Sequence, residues 1–113
     1  MNPSIDTPMT DQEAFKASMR AQWDIAAAGW NAHTADIRGW LHGPTEAMCR
    51  MAGVTAGSRV LDVAAGAGDQ TLVVAQEVGR HGPVLATDLS PAIVSLARDN
   101  AVHAGLTQVE TRV

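Results

Sequence analysis

Short apolar runs alternate with helical patterns through the second half of the chain, and this alternation constrains the fold more than any other feature. Predicted strands at residues 59–64, 84–88 and 107–113 alternate with predicted helices at residues 69–78 and 91–104. Helical segments between short apolar strands are typical of βαβ units, whose strands lie parallel. We therefore predict an α/β fold with a sheet of three parallel strands.

Residues 1–55 do not show this alternation of strand and helix patterns, and they are predicted to form a helical cap before residues 56–113. Thr10 and Glu13 have the spacing of a capping box, which predicts a helix that begins at about residue 11. Its apolar positions recur at helical spacing as far as Gly29, where we predict an end or a bend.

The remainder of the cap is harder to assign. Residues 31–42 have the apolar spacing of a short helix, but Gly39 weakens that pattern. The sequence HGPT at 42–45 predicts a break, with Pro44 in the first turn of a further helix that ends near Gly53.

Composition excludes several classes of protein. A chain of 113 residues with 46% hydrophobic and 18% charged residues is typical of one globular domain. The net charge is -4 and the basic residues are scattered, which argues against a nucleic-acid partner. The single cysteine, Cys49, lies in an apolar stretch and is expected to be an inert core thiol. With no secretory signal and no membrane span, we expect a cytoplasmic protein.

A glycine-containing loop follows the first predicted strand. The sequence GAGDQT at 66–71 nearly matches the dinucleotide pattern GxGxxG, but Thr71 replaces the third small residue. Asp62, inside the strand, would repel a diphosphate but suits a ligand with an ammonium or sulfonium group. Asp88 ends the second strand, where a carboxylate can accept hydrogen bonds from both hydroxyls of a ribose. The pattern indicates a nucleoside with a cationic, zwitterionic tail.

The two motifs VLDVAAGAGDQTL and VLATDLSPAIVSLAR resemble the first two motifs of class I S-adenosylmethionine-dependent methyltransferases. They are most similar to the small-molecule branch that includes the ubiquinone/menaquinone biosynthesis enzymes. The resemblance covers residues 56–113 well and the helical segment before it more loosely. It implies the N-terminal half of a Rossmann-like fold and S-adenosyl-L-methionine as the cofactor.

The first motif of the family transfers to Asp62, Ala64, Gly66 and Gly68, with alanine in the place of the first glycine. The resemblance implies that the backbone of this loop lines the methionine moiety. Asp62 would orient the amino group, directly or through water. The methyl group of Ala64 is expected to add tolerable crowding. A tight strand–helix turn without a ligand is the structural alternative for the glycines.

The resemblance also implies contacts along the rest of the cofactor. Asp88 matches the acid that binds the ribose, and Leu89 and Ile93 match positions that pack on adenine. Gln70 stands where family members often contact the methionine carboxylate. Trp30 could correspond to an aromatic residue that closes over the cofactor, although packing within the cap is the alternative for this tryptophan.

No catalytic residue and no metal site is predicted. The histidines lack the spacing of metal ligands; if one were a base, His33 or His42 is the better candidate because the cap covers the substrate in this family.

The family fold continues beyond a third strand, whereas this chain ends at Val113. We therefore expect a truncated protein that is inactive alone and that could self-associate through the edge of its first strand. A small-molecule methyl acceptor is expected. A self-associating fragment that binds no cofactor, or part of a nicotinamide-dependent oxidoreductase, remain the alternatives.

Overall fold

The computed structural model describes residues 8–113, which form four helices and a three-stranded sheet. The helices are α1 (Asp11–Ala32), α2 (Thr34–Met51), α3 (Asp69–Val78) and α4 (Pro91–His103). The strands are β1 (Val60–Val63), β2 (Val84–Thr87) and β3 (Val109–Arg112). None of these four helices combines the length and apolarity that crossing a membrane requires.

The sheet confirms the predicted α/β fold. Its strands are parallel in the order β1-β2-β3, with Val60 beside Val84 and Val84 beside Val109. Helices follow β1 and β2 as predicted, and Ser90 caps α4 by accepting a hydrogen bond from the Ile93 N–H at 3.1 Å. The carboxyl ends of β1 and β2 therefore lie side by side at one edge of the sheet.

One face of the sheet forms the core, and the other is exposed at β1. The first face packs against α3 in a cluster formed by the buried residues Cys49, Val74, Ala75, Val78 and Val84. Leu61 and Val63 alternate to the opposite face, where their exposed fractions are 61% and 70%. Within residues 8–113, β1 pairs with β2 alone, so its second edge has no partner strand.

Helix α1 begins as predicted but continues further. The Thr10 side chain accepts a hydrogen bond from the Glu13 N–H, and the Glu13 carboxylate accepts one from the Thr10 N–H, so the capping box is present. The predicted end or bend at Gly29 is wrong, because α1 runs to Ala32. A glycine inside a helix costs only about 1 kcal/mol relative to alanine. The last turn is held by Asn31, whose side-chain oxygen accepts a hydrogen bond from Asn100 of α4 at 3.0 Å.

The predicted break at 42–45 is also wrong, because α2 is a continuous helix with Pro44 in its interior. Proline removes one backbone donor and crowds the residue before it. That residue is Gly43, which has no Cβ for the proline ring to meet. Thr45 and Cys49 follow at helical spacing and are buried, so packing of α2 on α3 outweighs the local tendency to break.

Polar contacts join α1 to the start of α4. The Asp24 carboxylate accepts hydrogen bonds from the Ser90 hydroxyl and from the Ala92 N–H. Arg20 donates from Nε to the Leu89 carbonyl at 3.2 Å. These contacts hold the helical cap over the residues that follow β2.

Candidate functional site

The loop between β1 and α3 turns through the left-handed region of backbone conformation. Its φ angles are 58° at Ala64, 60° at Gly66 and 93° at Gly68. Glycine adopts this region readily, whereas alanine does so at a cost of about 1–2 kcal/mol. The departure from the family motif at Ala64 therefore affects backbone strain, where the sequence had suggested crowding by the methyl group. Strain of this kind is typical of functional loops.

Asp88 is fixed by the loop. Its carboxylate accepts a hydrogen bond from the Gly66 N–H at 2.9 Å through Oδ2 and one from the Ser90 N–H at 3.3 Å through Oδ1. A carboxylate has about four acceptor positions, so two such bonds leave capacity for further donors. The bond from Gly66 therefore fixes the positions of the loop and of the Asp88 carboxylate at the ends of two neighbouring strands.

Asp62 lies behind the loop, in contact with α3. The Thr71 hydroxyl donates a hydrogen bond to its Oδ2 at 2.6 Å. Burial raises the pKa of Asp62; the bond from Thr71 acts in the opposite direction, and the charge of Asp88 adds to the rise. Thr71 itself is buried, so the residue that breaks the dinucleotide pattern supports this carboxylate.

A cavity of about 550 Å³ opens at the carboxyl ends of β1 and β2. This volume lies in the range of small-molecule sites. Its floor is formed by residues 63–67 of the loop and residues 87–89 after β2. Its roof comes from the cap, through Trp23, Trp30, Ile37 and Leu41.

Most of the residues predicted from the sequence meet in this cavity. Those that line it are Trp30, Ala64, Gly66, Gln70, Asp88, Leu89 and Ile93. Asp62 and Gly68 do not line it. Asp62 faces Thr71. Glycine suits position 68 because of its φ of 93°, since a Cβ there would meet Ala97 only at an ordinary contact distance of 3.5 Å.

Gln70 has a partner in the cap. Its amide donates from Nε2 to the Thr45 hydroxyl at 3.2 Å, which links the start of α3 to α2. His33 and His42, the candidate bases, lie outside the cavity wall and contact Asp36 and Glu46 respectively. Burial raises the pKa of the Cys49 thiol, as expected for an inert core cysteine.

Other residues of the cavity wall were not identified from the sequence. Asp69 begins α3 and lines the cavity, and so do Trp23, Ile37 and Leu41. The four-residue spacing of Ile37 and Leu41 signalled one helix face, although nothing in the sequence said what that face covers. The rings of Trp23 and Trp30 lie 5.9 Å apart between centroids, so the two tryptophans form one aromatic wall. Among residues 8–113, no cluster of His, Cys, Asp and Glu could hold a metal ion.

We predict that Asp62→Asn increases thermal stability at neutral pH. Because the pKa of Asp62 is raised, the folded state binds a proton more tightly than the unfolded state. Ionised Asp62 thus costs stability above its folded pKa, and the cost disappears below the ordinary value of 3.8. The melting temperature should rise by a few degrees at pH 7.5 and by less at pH 4.5. Asp99→Asn, an exposed carboxylate on α4, is the control, and a lower melting temperature for Asp62→Asn at pH 7.5 would contradict the account.

Comparisons with known proteins agree with this architecture. A family model described as a methyltransferase domain matches residues 54–113. An uncharacterized protein of Mycobacterium bovis is 34% identical over 104 residues, which cover 92% of this chain and 35% of that protein. The ubiquinone/menaquinone biosynthesis C-methyltransferase of Azotobacter vinelandii is 39% identical over 56 residues, 50% of this chain and 22% of that protein. This chain therefore spans about a third or less of the length of these relatives.

A solved structure has a similar fold over part of this chain. It is a SAM-dependent methyltransferase from Aquifex aeolicus, with a TM-score of 0.55 and 33% identity over 58% of this chain and 35% of that one. The matched family model covers more than half of the chain, including the loop, Asp88 and all three strands. This chain belongs to the methyltransferase domain family.

Proposed function

We propose that this chain forms the S-adenosylmethionine-binding part of a methyltransferase that acts on a small molecule. The observation that carries the proposal is the bond of 2.9 Å from the Gly66 N–H to Asp88, which fixes an acid beside a strained loop in one cavity. Such an acid can accept hydrogen bonds from both ribose hydroxyls. The shape of the loop, the cavity volume and the apolar roof all fit a nucleoside with an extended tail.

The proposed contacts follow the length of the cofactor. Ala64, Gly66 and Gly68 give the turn that lets the methionine moiety approach the backbone, and Asp88 accepts from the ribose. Asp62 acts on the amino group from behind the loop. Leu89 and Ile93 provide the adenine contacts. Gln70 provides a polar group near the carboxylate, and Trp30 provides the aromatic cover. In this proposal residues 8–55 of the predicted cap form the lid and residues 56–113 the cofactor-binding unit, while residues 1–7 of that cap lie outside the described residues.

The proposed chemistry requires alignment more than proton transfer. The bound cofactor would supply a methyl group on a sulfonium sulfur, and that sulfur leaves as a neutral thioether when the C–S bond breaks. The protein holds the donor in line with the acceptor and excludes water, and such positioning can contribute roughly 7–11 kcal/mol. Trp23, Trp30, Ile37 and Leu41 suit that exclusion because they are apolar side chains over the loop. We assign no catalytic base.

A small acceptor and a reducing, cytoplasmic location complete the proposal. The acceptor class is supported by the absence of a basic stripe in the sequence, which argues against a nucleic-acid acceptor. The location is supported by Cys49, a free and buried thiol. We propose further that this 113-residue chain alone does not transfer methyl groups, because the sheet face at Leu61 and Val63 is uncovered beside the site.

Calorimetry with S-adenosylhomocysteine and NAD tests the cofactor. We expect the chain to bind S-adenosylhomocysteine and not NAD. Asp88→Asn should weaken binding by about 10-fold, since the ribose loses a charged acceptor. Asp99→Asn, which changes a carboxylate on the exposed side of α4, should bind like the wild type. Tighter binding of NAD, or no binding of either ligand at millimolar concentration, would contradict the proposal.

We also propose that two copies associate through the second edge of β1. Unpaired strand edges beside exposed apolar side chains favour pairing, and Leu61 is 61% exposed at this edge. Sedimentation velocity at high protein concentration should detect dimers or larger species for the wild type. Leu61→Lys should shift the protein to monomers, whereas Val102→Lys, at an exposed apolar position on α4, should not. A wild type that remains monomeric would exclude this interface.

A further inference from the structure

The charges in the cavity wall leave one end of the proposed ligand without a partner. Asp69 and Asp88 are the ionisable side chains that line the cavity, and both are acidic. Two carboxylates suit the ammonium and sulfonium groups of S-adenosylmethionine. Its carboxylate, however, would meet repulsion from Asp69 at the start of α3 unless a cation stands beside it.

Arg38 supplies a cation at that position. Its Nη2 lies 3.3 Å from Oδ1 of Asp69, across the boundary between α2 and α3. The neighbouring position Ile37 and the next turn at Leu41 both line the cavity, so this part of α2 forms its rim. Arg38 itself is not among the residues that line the cavity, but its guanidinium is held beside the start of α3 by a carboxylate that belongs to the cavity wall.

The guanidinium of Arg38 retains capacity for a ligand. It carries five N–H donors, and the contact with Asp69 uses one nitrogen. The Arg38 side chain is 47% exposed, whereas that of Asp69 is 16% exposed. Asp69 therefore orients an arginine whose remaining donors stay accessible, in the fork geometry that binds a carboxylate through two parallel hydrogen bonds.

We propose that Arg38 binds the carboxylate of the methionine moiety, with Asp69 as the residue that positions it. This inference rests on the proposed function and names a residue of the lid as part of the cofactor site. Arg20, the other arginine beside the cavity, donates to the Leu89 carbonyl at the opposite, adenine end. Gln70 is neutral and its amide already donates to Thr45. Arg38 is therefore the cation suited to the carboxylate of the methionine moiety.

A purely structural ion pair between α2 and α3 is the competing explanation. Partly exposed pairs of this kind contribute little to stability, typically below about 1 kcal/mol. If the pair served only to attach the lid, its loss would affect all ligands of the cavity alike. A direct contact with the carboxylate would affect only ligands that carry one.

The test is a cycle that removes Arg38 from the protein and the carboxylate from the ligand. Calorimetry compares S-adenosylmethionine with decarboxylated S-adenosylmethionine, which retains the nucleoside, the sulfonium and the amine. For Arg38→Gln we expect about a 10-fold loss of affinity for S-adenosylmethionine and no change for the decarboxylated ligand. Arg38→Lys should retain part of the preference for the carboxylate. Arg50→Gln, at the far end of the same helix, is the matched control.

The outcomes separate the two levels of the proposal. Equal losses for both ligands, or no loss for either, would overturn the role of Arg38 and leave the cofactor assignment intact. Absence of binding of both ligands to the wild type would overturn the proposed function and the role of Arg38 with it. Binding of the decarboxylated ligand by Arg38→Gln also establishes that this variant is folded.

Discussion

The hydrogen bond from the Gly66 N–H to the Asp88 carboxylate is the contact on which the site depends. It joins the loop after β1 to the end of β2, so that the two halves of one cavity are connected directly. Parallel pairing brings the ends of these strands together, and the positive φ angles at Ala64, Gly66 and Gly68 turn the loop back toward Asp88. The Ala65 N–H also donates to the Thr87 carbonyl at 2.9 Å, so the backbones of the two segments are joined as well, and the bond from Gly66 is the one that fixes the carboxylate of Asp88.

The cap completes the cavity through polar contacts at its rim. Asp24 receives hydrogen bonds from Ser90 and Ala92, while Asn100 donates to both Asn31 of α1 and the Ala67 carbonyl of the loop. These contacts seat Trp23 and Trp30 over the residues that follow β1 and β2. The cap is thus part of the candidate site, and the ion pair of Arg38 with Asp69 extends this connection to α2.

The βαβαβ unit could be predicted from the sequence because its signals are local. Ser90, Pro91 and Gly105 delimit α4, and alternation predicts β3 without reference to any distant residue. The continuity of α2 through Pro44 could not be predicted, since it results from packing against α3. For the same reason the sequence did not reveal Ile37, Leu41 and Asp69 as cavity residues. Asp62 was identified from its motif, but the sequence did not reveal that Thr71 donates a hydrogen bond to its carboxylate behind the loop.

We propose that the loop after β1 and the acid after β2 form one cofactor-binding site. Titration of the ¹⁵N-labelled chain with S-adenosylhomocysteine tests it most directly, because each backbone amide reports separately. The account predicts the largest shift changes at residues 64–70 and 88–89, with saturation at one common dissociation constant. Saturating ligand that leaves the amides of Gly66 and Leu89 unchanged, or that shifts residues remote from this edge of the sheet, would contradict it.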